Sequence, residues 1–185
     1  RRDLADSATV IMTADNMLSG AIATGYRNRA ARALNSRDYN QALTDARHAV
    51  ELNQAEPASY YYMAKAQQGL RDNAGARQSY EAVLERAQEP SYIAKAHTGL
   101  GLLDVHEARE AVRARRAGAA LAARRSAVAH LQAAVEADST DDVAYLNLGN
   151  TLYDLERFEE AATALTAAER YAPRSYKAPL KLADA

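Results

Sequence analysis

YLNLGNTLYDLERFEEAATALTAAERYAP, from Tyr145 to Pro173, is the stretch on which the reading of the chain turns. Tyr145, Leu148, Gly149 and Leu152 recur at helical spacing and form one apolar stripe. The chain then turns around Leu155 to Arg157. Phe158, Ala161, Ala162, Leu165 and Ala168 form a second stripe, which Pro173 ends. The pattern fits two helices joined by a tight turn. Gly149 and Ala161 are small enough to let the two backbones approach where they cross. Tyr145, Leu148 and Leu165 fill the space around that crossing. The stretch is apolar on more than one side, so neighbouring hairpins are expected to cover what a lone hairpin leaves bare.

An aromatic residue, Leu148-Gly149, the large Leu152, Ala161 with Leu165 four later, and a closing Pro173 together resemble the tetratricopeptide repeat, whose period is about 34 residues. Working outward, Ala42 and Ala76 lie one such period apart and take the place of Ala161. Tyr39 stands where Phe158 stands, with Arg29-Ala30 in the place of Leu-Gly. In the next unit Tyr60, Met63, Ala64 and Gln67 follow the signature, Tyr80 and Val83 complete the second stripe, and Pro90 closes it. The units so defined are 23–56, 57–90, 91–141 and 142–173. They are preceded by an N-terminal segment, 1–22, and followed by a C-terminal capping helix in 174–185.

The third unit breaks the period. Ala127 is one period before Ala161 but a period and a half after Ala76. Its central sequence, EAREAVRARRAGAALAARRSAVAHL, holds neither a proline nor a polar loop. Both helices of this unit are therefore expected to be longer by about two turns, with the reversal near Gly118 and a few leftover residues around Glu89 to Tyr92. Nine helices are expected in all, over about 14–35, 39–52, 57–70, 73–87, 91–116, 119–138, 142–154, 158–171 and 175–183. Thr13 is the expected cap of the first, in which Gly20 and Gly25 are weak points. The fold class is all-α, and the resemblance implies a right-handed α-solenoid of tetratricopeptide-like hairpins, the third extended.

Composition agrees with an all-α chain. There are four prolines, and alanine, leucine, arginine and glutamate are abundant. A net charge of −1 gives no bulk attraction to nucleic acid or to an anionic membrane. Cysteine is absent, which excludes disulfides, thiolate metal sites and cysteine nucleophiles. No apolar run approaches the roughly 18 residues of a spanning helix. The sequence begins Arg1-Arg2 without a methionine, which suggests a processed or trimmed form and leaves any signal or anchor upstream open. Cytoplasm and periplasm both remain open. The usage of alanine and arginine points to a GC-rich bacterial source.

Nothing in the sequence has the form of a catalytic site. Gly99-Leu100-Gly101 lies inside a helical pattern and follows no strand, so it is not a nucleotide fingerprint. His106 and His130 are equally far from Gly118 along the chain and would face each other in a long hairpin, with Glu110 one turn away. This is the one candidate metal site, against the plainer reading of polar residues on a solvated hairpin. Arg113, Arg115, Arg116, Arg124 and Arg125 form a basic hairpin tip, suited to an acidic partner or to anionic headgroups.

The resemblance implies that the concave face, built by the first helix of each hairpin, binds a peptide or helix of another protein. Carried across position by position, that face comprises Arg27, Tyr61, Lys65, Gln68, Leu146, Asn150 and Tyr153. Relatives that grip a C-terminal carboxylate need polar groups where this chain has Ala31, Tyr62 and Thr98, so that specificity is not assigned. The expected function is a non-catalytic interaction scaffold or assembly factor with no cofactor, whose partners are proteins, including subunits of a larger complex. A chaperone for a secreted or membrane-complex subunit is the alternative. A metal-binding protein using the hairpin histidines is the alternative of a different class.

Overall fold

A computed structural model describes the backbone of residues 2–171 and the side chains of residues 16–171. Among the described residues there are eight helices and no strand: α1 Arg2–Asn35, α2 Tyr39–Leu52, α3 Pro57–Gly69, α4 Asn73–Arg86, α5 Pro90–Arg113, α6 Ala117–Ala137, α7 Asp142–Asp154 and α8 Phe158–Tyr171. The expected helix at 175–183 lies outside the described residues. The chain divides into two compact units, Arg1–Arg86 and Ala87–Ala185.

The helix starts follow from local chemistry. Asp38 accepts from the Gln41 amide at 3.1 Å, Asp72 from Gly75 at 3.0 Å and Asp141 from Ala144 at 2.9 Å. Each satisfies a donor left over at a helix start. Pro57 and Pro90 open α3 and α5, where a missing amide hydrogen costs nothing. The helix α1 begins at Arg2 and not at Ala14, so Thr13 lies inside it instead of capping it. The segment before Ala14 contains no proline or glycine to stop a helix. Gly20 and Gly25 do not break it either.

The four turns inside the hairpins share one geometry. Arg37, Arg71, Arg115 and Glu156 have φ of 60°, 63°, 56° and 60°. Around Arg37, the Asp38 amide donates to Ala33 O at 2.9 Å and the Arg37 amide to Leu34 O at 3.0 Å. The same pair of bonds recurs at Arg71, Arg115 and Glu156. This is the Schellman arrangement, with a left-handed residue just past the helix end. The third reversal is therefore at Arg115, not near Gly118. The residues expected as leftovers around Tyr92 form the first turn of α5, which Pro90 opens.

In the first unit, α1 packs on α2 and α3, and α3 packs on α2 and α4. The interfaces are lined by alanine: Ala23, Ala30, Ala42, Ala46, Ala64 and Ala76 are all fully buried, which lets the backbones come close. Tyr60, Tyr80 and Val83 supply the larger buried volume. Arg86 lies over the Tyr60 ring at 4.4 Å, where the aromatic face attracts a cation.

In the second unit, α5 pairs with α6, α7 with α8, and α7 also packs on α6. A Cβ on Gly149 would stand 2.6 Å from Leu165 Cγ and 3.1 Å from Ala161 O, so the α7–α8 crossing needs the glycine. A Cβ on Gly101 would stand 2.7 Å from Leu131 Cγ and 3.5 Å from Ala127 O. Leu100-Gly101 is thus the Leu-Gly pair of the extended hairpin. Gly149 lies two helical turns before its turn residue Glu156, whereas Gly101 lies four turns before Arg115. Two added turns on each arm give roughly 10 Å of extra reach beyond the crossing. Phe158, expected in the buried stripe, is 46% exposed. It is the first residue of α8, outside the crossing, and its ring meets that of Tyr153 edge-on at 5.3 Å.

Candidate functional site

The first-helix positions fall on both units. In the first unit, Tyr61, Lys65 and Gln68 follow one another along α3 at spacings of four and three, on one side of the helix. Tyr61 is half-buried, its ring 5.5 Å from Tyr62 and 6.3 Å from Tyr80. The Tyr80 hydroxyl donates to Gln68 Oε1 at 2.6 Å, which fixes that amide. Burial pushes the Tyr80 phenol pKa up, and Tyr61 beside it adds to the shift, so the hydroxyl stays a donor. Lys65 is exposed, yet enough protein surrounds its ammonium to lower its pKa by desolvation. Arg27 is paired with Glu56, which also accepts from Ser59 at 2.9 Å. Arg27 is therefore held by its own chain.

In the second unit, Asn150 and Tyr153 lie on α7, one turn apart, and both are half-buried. The side-chain oxygen of Asn150 is buried and takes no hydrogen bond. Leu146, expected on the same face, is placed deeper. It is 8% exposed and packs with Leu165 and Ala168 in the core, because Tyr145 beside it takes the more open position. Thr98, on α5, is buried and donates to the Asp141 carboxylate at 2.7 Å, so it ties α5 to the cap of α7.

The tip arginines differ in their engagement. Arg113 pairs with Glu110 at 2.6 Å and Arg124 with Asp154 at 3.7 Å. Arg115, Arg116 and Arg125 are exposed. The histidines are arranged differently from the expectation. Because the reversal is at Arg115, His130 comes opposite His97 and not His106. Their Nδ1 atoms are 3.2 Å apart, and His130 Nε2 is 3.9 Å from the buried Asp104 carboxylate. Desolvation, and then the neighbouring His130, hold the His97 pKa below the ordinary imidazole value. Among the described residues no group of three or more His, Asp or Glu side chains is placed to hold a metal ion. The pairing of His97 with His130 was legible only with the correct turn in hand.

The fold and these surfaces define a class: an all-α array of helical hairpins whose first helices carry partly buried aromatic and amide side chains. Residues 143–175 match the tetratricopeptide repeat family model. That segment carries a tetratricopeptide repeat, and over most of its length the chain has the fold of tetratricopeptide-repeat proteins. No curated protein matches it in sequence. Among solved structures it resembles TTC0263, a thermophilic tetratricopeptide-repeat protein of Thermus thermophilus, with a TM-score of 0.66 at 21% identity over 80% of this chain and 74% of that one. It also resembles MamA, with a TM-score of 0.62 at 16% identity over 83% and 75%. YrrB, described as a tetratricopeptide-repeat protein with an unusual peptide-binding site, gives 0.57 at 21% identity over 80% and 68%. At these identities the likeness is one of fold. Among the described residues no helix is long and apolar enough to cross a membrane.

Proposed function

We propose that this protein is a non-catalytic scaffold that binds a peptide or helix of another protein through its first-helix faces, as an adaptor or assembly factor. The observation that carries the reading is the run Tyr61, Lys65, Gln68 on α3. Its aromatic ring and amide are held in place by Tyr80, yet they are not consumed by the core. Preorganised aromatic and amide groups on an accessible helix face are what a peptide-binding surface requires. Asn150 adds a buried acceptor without a partner on the corresponding helix of the second unit, next to Tyr153. The fold supports the same reading, since proteins that share it generally serve as non-catalytic interaction scaffolds. YrrB, which shares the fold, is described as having a peptide-binding site.

The test is to capture partners on the wild-type chain and to measure their binding to Tyr61→Ala and Tyr153→Ala by calorimetry. Loss of about 2 kcal/mol or more in either variant, with helicity kept, is expected at an anchoring position. Unchanged affinity in both variants rejects the assignment. A partner that stays bound through purification marks an adaptor. One that leaves on folding of its own complex marks a chaperone.

A further inference from the structure

The extended hairpin creates a cleft that an ordinary repeat would not have. The helix α7 ends at Asp154, and α5 runs about two turns farther past its crossing glycine, Gly101, than α7 runs past Gly149. Only the end of α7 borders the inner face of those added turns. A cavity of about 240 Å³ lies there, lined by Val105, Ala108, Arg109, Val112, Arg124 and Asp154 among others. That is larger than the ~150 Å³ that holds a benzene molecule in an engineered core, so it accommodates a Leu- or Phe-sized side chain. Its floor is apolar, and Val112 is 50% exposed. Its rim is cationic. Arg124 is engaged with Asp154 and Arg113 with Glu110, but Arg109 is exposed and makes no ion pair among the described residues.

We propose that this cleft docks an acidic segment of a partner protein, which inserts one large apolar side chain against Val112 and Ala108 and places a carboxylate on Arg109. The carboxylate chemistry follows from the rim, since a planar guanidinium free of a partner donates two parallel hydrogen bonds to a carboxylate. The apolar anchor follows from the floor. The chain's own last residues, RSYKAPLKLADA, are cationic and do not complement this rim. A lipid surface fits less well, because Glu107, Glu110 and Asp154 interrupt the positive field and the cleft is concave. The inference rests on the reading of the protein as a binding scaffold, but it does not require the first-helix positions Tyr61 and Tyr153.

The test selects a random peptide library on the full chain. The recovered peptides are then titrated by fluorescence anisotropy against wild type, Arg109→Glu, Val112→Asp, Tyr61→Ala and Tyr153→Ala. Arg109 and Val112 are exposed, so both substitutions leave the fold intact, which circular dichroism verifies. The expected peptides carry Asp and Glu around a Leu, Ile, Met or Phe, lose on the order of tenfold in affinity in each cleft variant, and bind more weakly as salt is added. Peptides that bind both cleft variants like wild type overturn the proposal. So does recovery of no acidic peptide. Binding confined to vesicles of phosphatidylcholine and phosphatidylserine, with no peptide bound, gives the tip to a membrane instead. Loss only in the tyrosine variants removes the cleft and leaves the first-helix faces, and loss only in the cleft variants does the reverse.

Discussion

Gly149 lies directly beneath Leu165: a Cβ on the glycine would fall 2.6 Å from the leucine Cγ. Gly101 lies beneath Leu131 in the same way at 2.7 Å. One crossing geometry is therefore used twice in the second unit, once in a hairpin of ordinary length and once in the extended one. Gly149→Leu and Gly101→Leu should each overpack that crossing and cost about 1–3 kcal/mol. Leu165→Ala should leave a cavity and cost about 2–5 kcal/mol. Chemical denaturation measures all three, and midpoints equal to wild type would place these residues outside the core.

Gly20 and Gly25 give the opposite outcome. Both are helical residues of α1, and a Cβ at either would meet nothing within 4 Å. Gly20→Ala and Gly25→Ala should each stabilise the protein by about 0.5–1 kcal/mol, through higher helix propensity alone. Unchanged or lowered denaturation midpoints would show that α1 is not a helix at these positions when the protein folds.

His97, packed against His130, makes stability depend on pH. The folded-state pKa of His97 is lowered, so the unfolded chain binds the proton more readily. The contribution of neutral His97 is complete above the unfolded value of about 6.5 and is lost as pH falls from there toward the folded value. His130 faces His97 from α6, and the buried Asp104 carboxylate on α5 lies on the far side of His130. Denaturation midpoints should therefore fall as the pH is lowered through the ordinary imidazole range, and His97→Gln should flatten that fall. An identical pH profile in the variant would remove the pair as its cause.

Most of the fold was legible because the helix starts carry their own signals. Asp38, Asp72 and Asp141 cap, Pro57 opens, and the starts of α2, α4, α7 and α3 fell where these residues put them. The turn of the extended hairpin was misread because glycine is the residue that usually takes the left-handed position, and Gly118 was near. Arg37 and Arg71, which stand one repeat period apart in the other turns, were the signal for Arg115. That error carried the wrong histidine to His130. Leu146 is more buried and Phe158 more exposed than expected for a packing reason: periodicity names the face of a helix, but the depth of each residue on that face depends on what the neighbouring helix covers. The first-helix positions came from the resemblance, and no spacing in the sequence distinguishes an unbonded amide oxygen such as that of Asn150 from a bonded one.

The turns give a further test of backbone strain. Arg115 has φ of 56°, which a residue with a Cβ adopts at a cost that glycine avoids. Arg115→Gly should therefore raise stability by up to about 1 kcal/mol. The same change at Arg116, where φ is −97°, should lower it or leave it unchanged. Equal effects at the two sites in thermal denaturation would contradict the turn as described.

The central claim, that the first-helix faces meet a partner protein, is tested most directly by photo-crosslinking inside cells. A benzophenone amino acid is placed at Tyr61, at Tyr153 and, as a control, at the exposed Arg47 on α2. The account predicts that Tyr61 and Tyr153 crosslink to the same second protein and that Arg47 does not. Crosslinks to no protein at either tyrosine, or equal capture from all three positions, would contradict it.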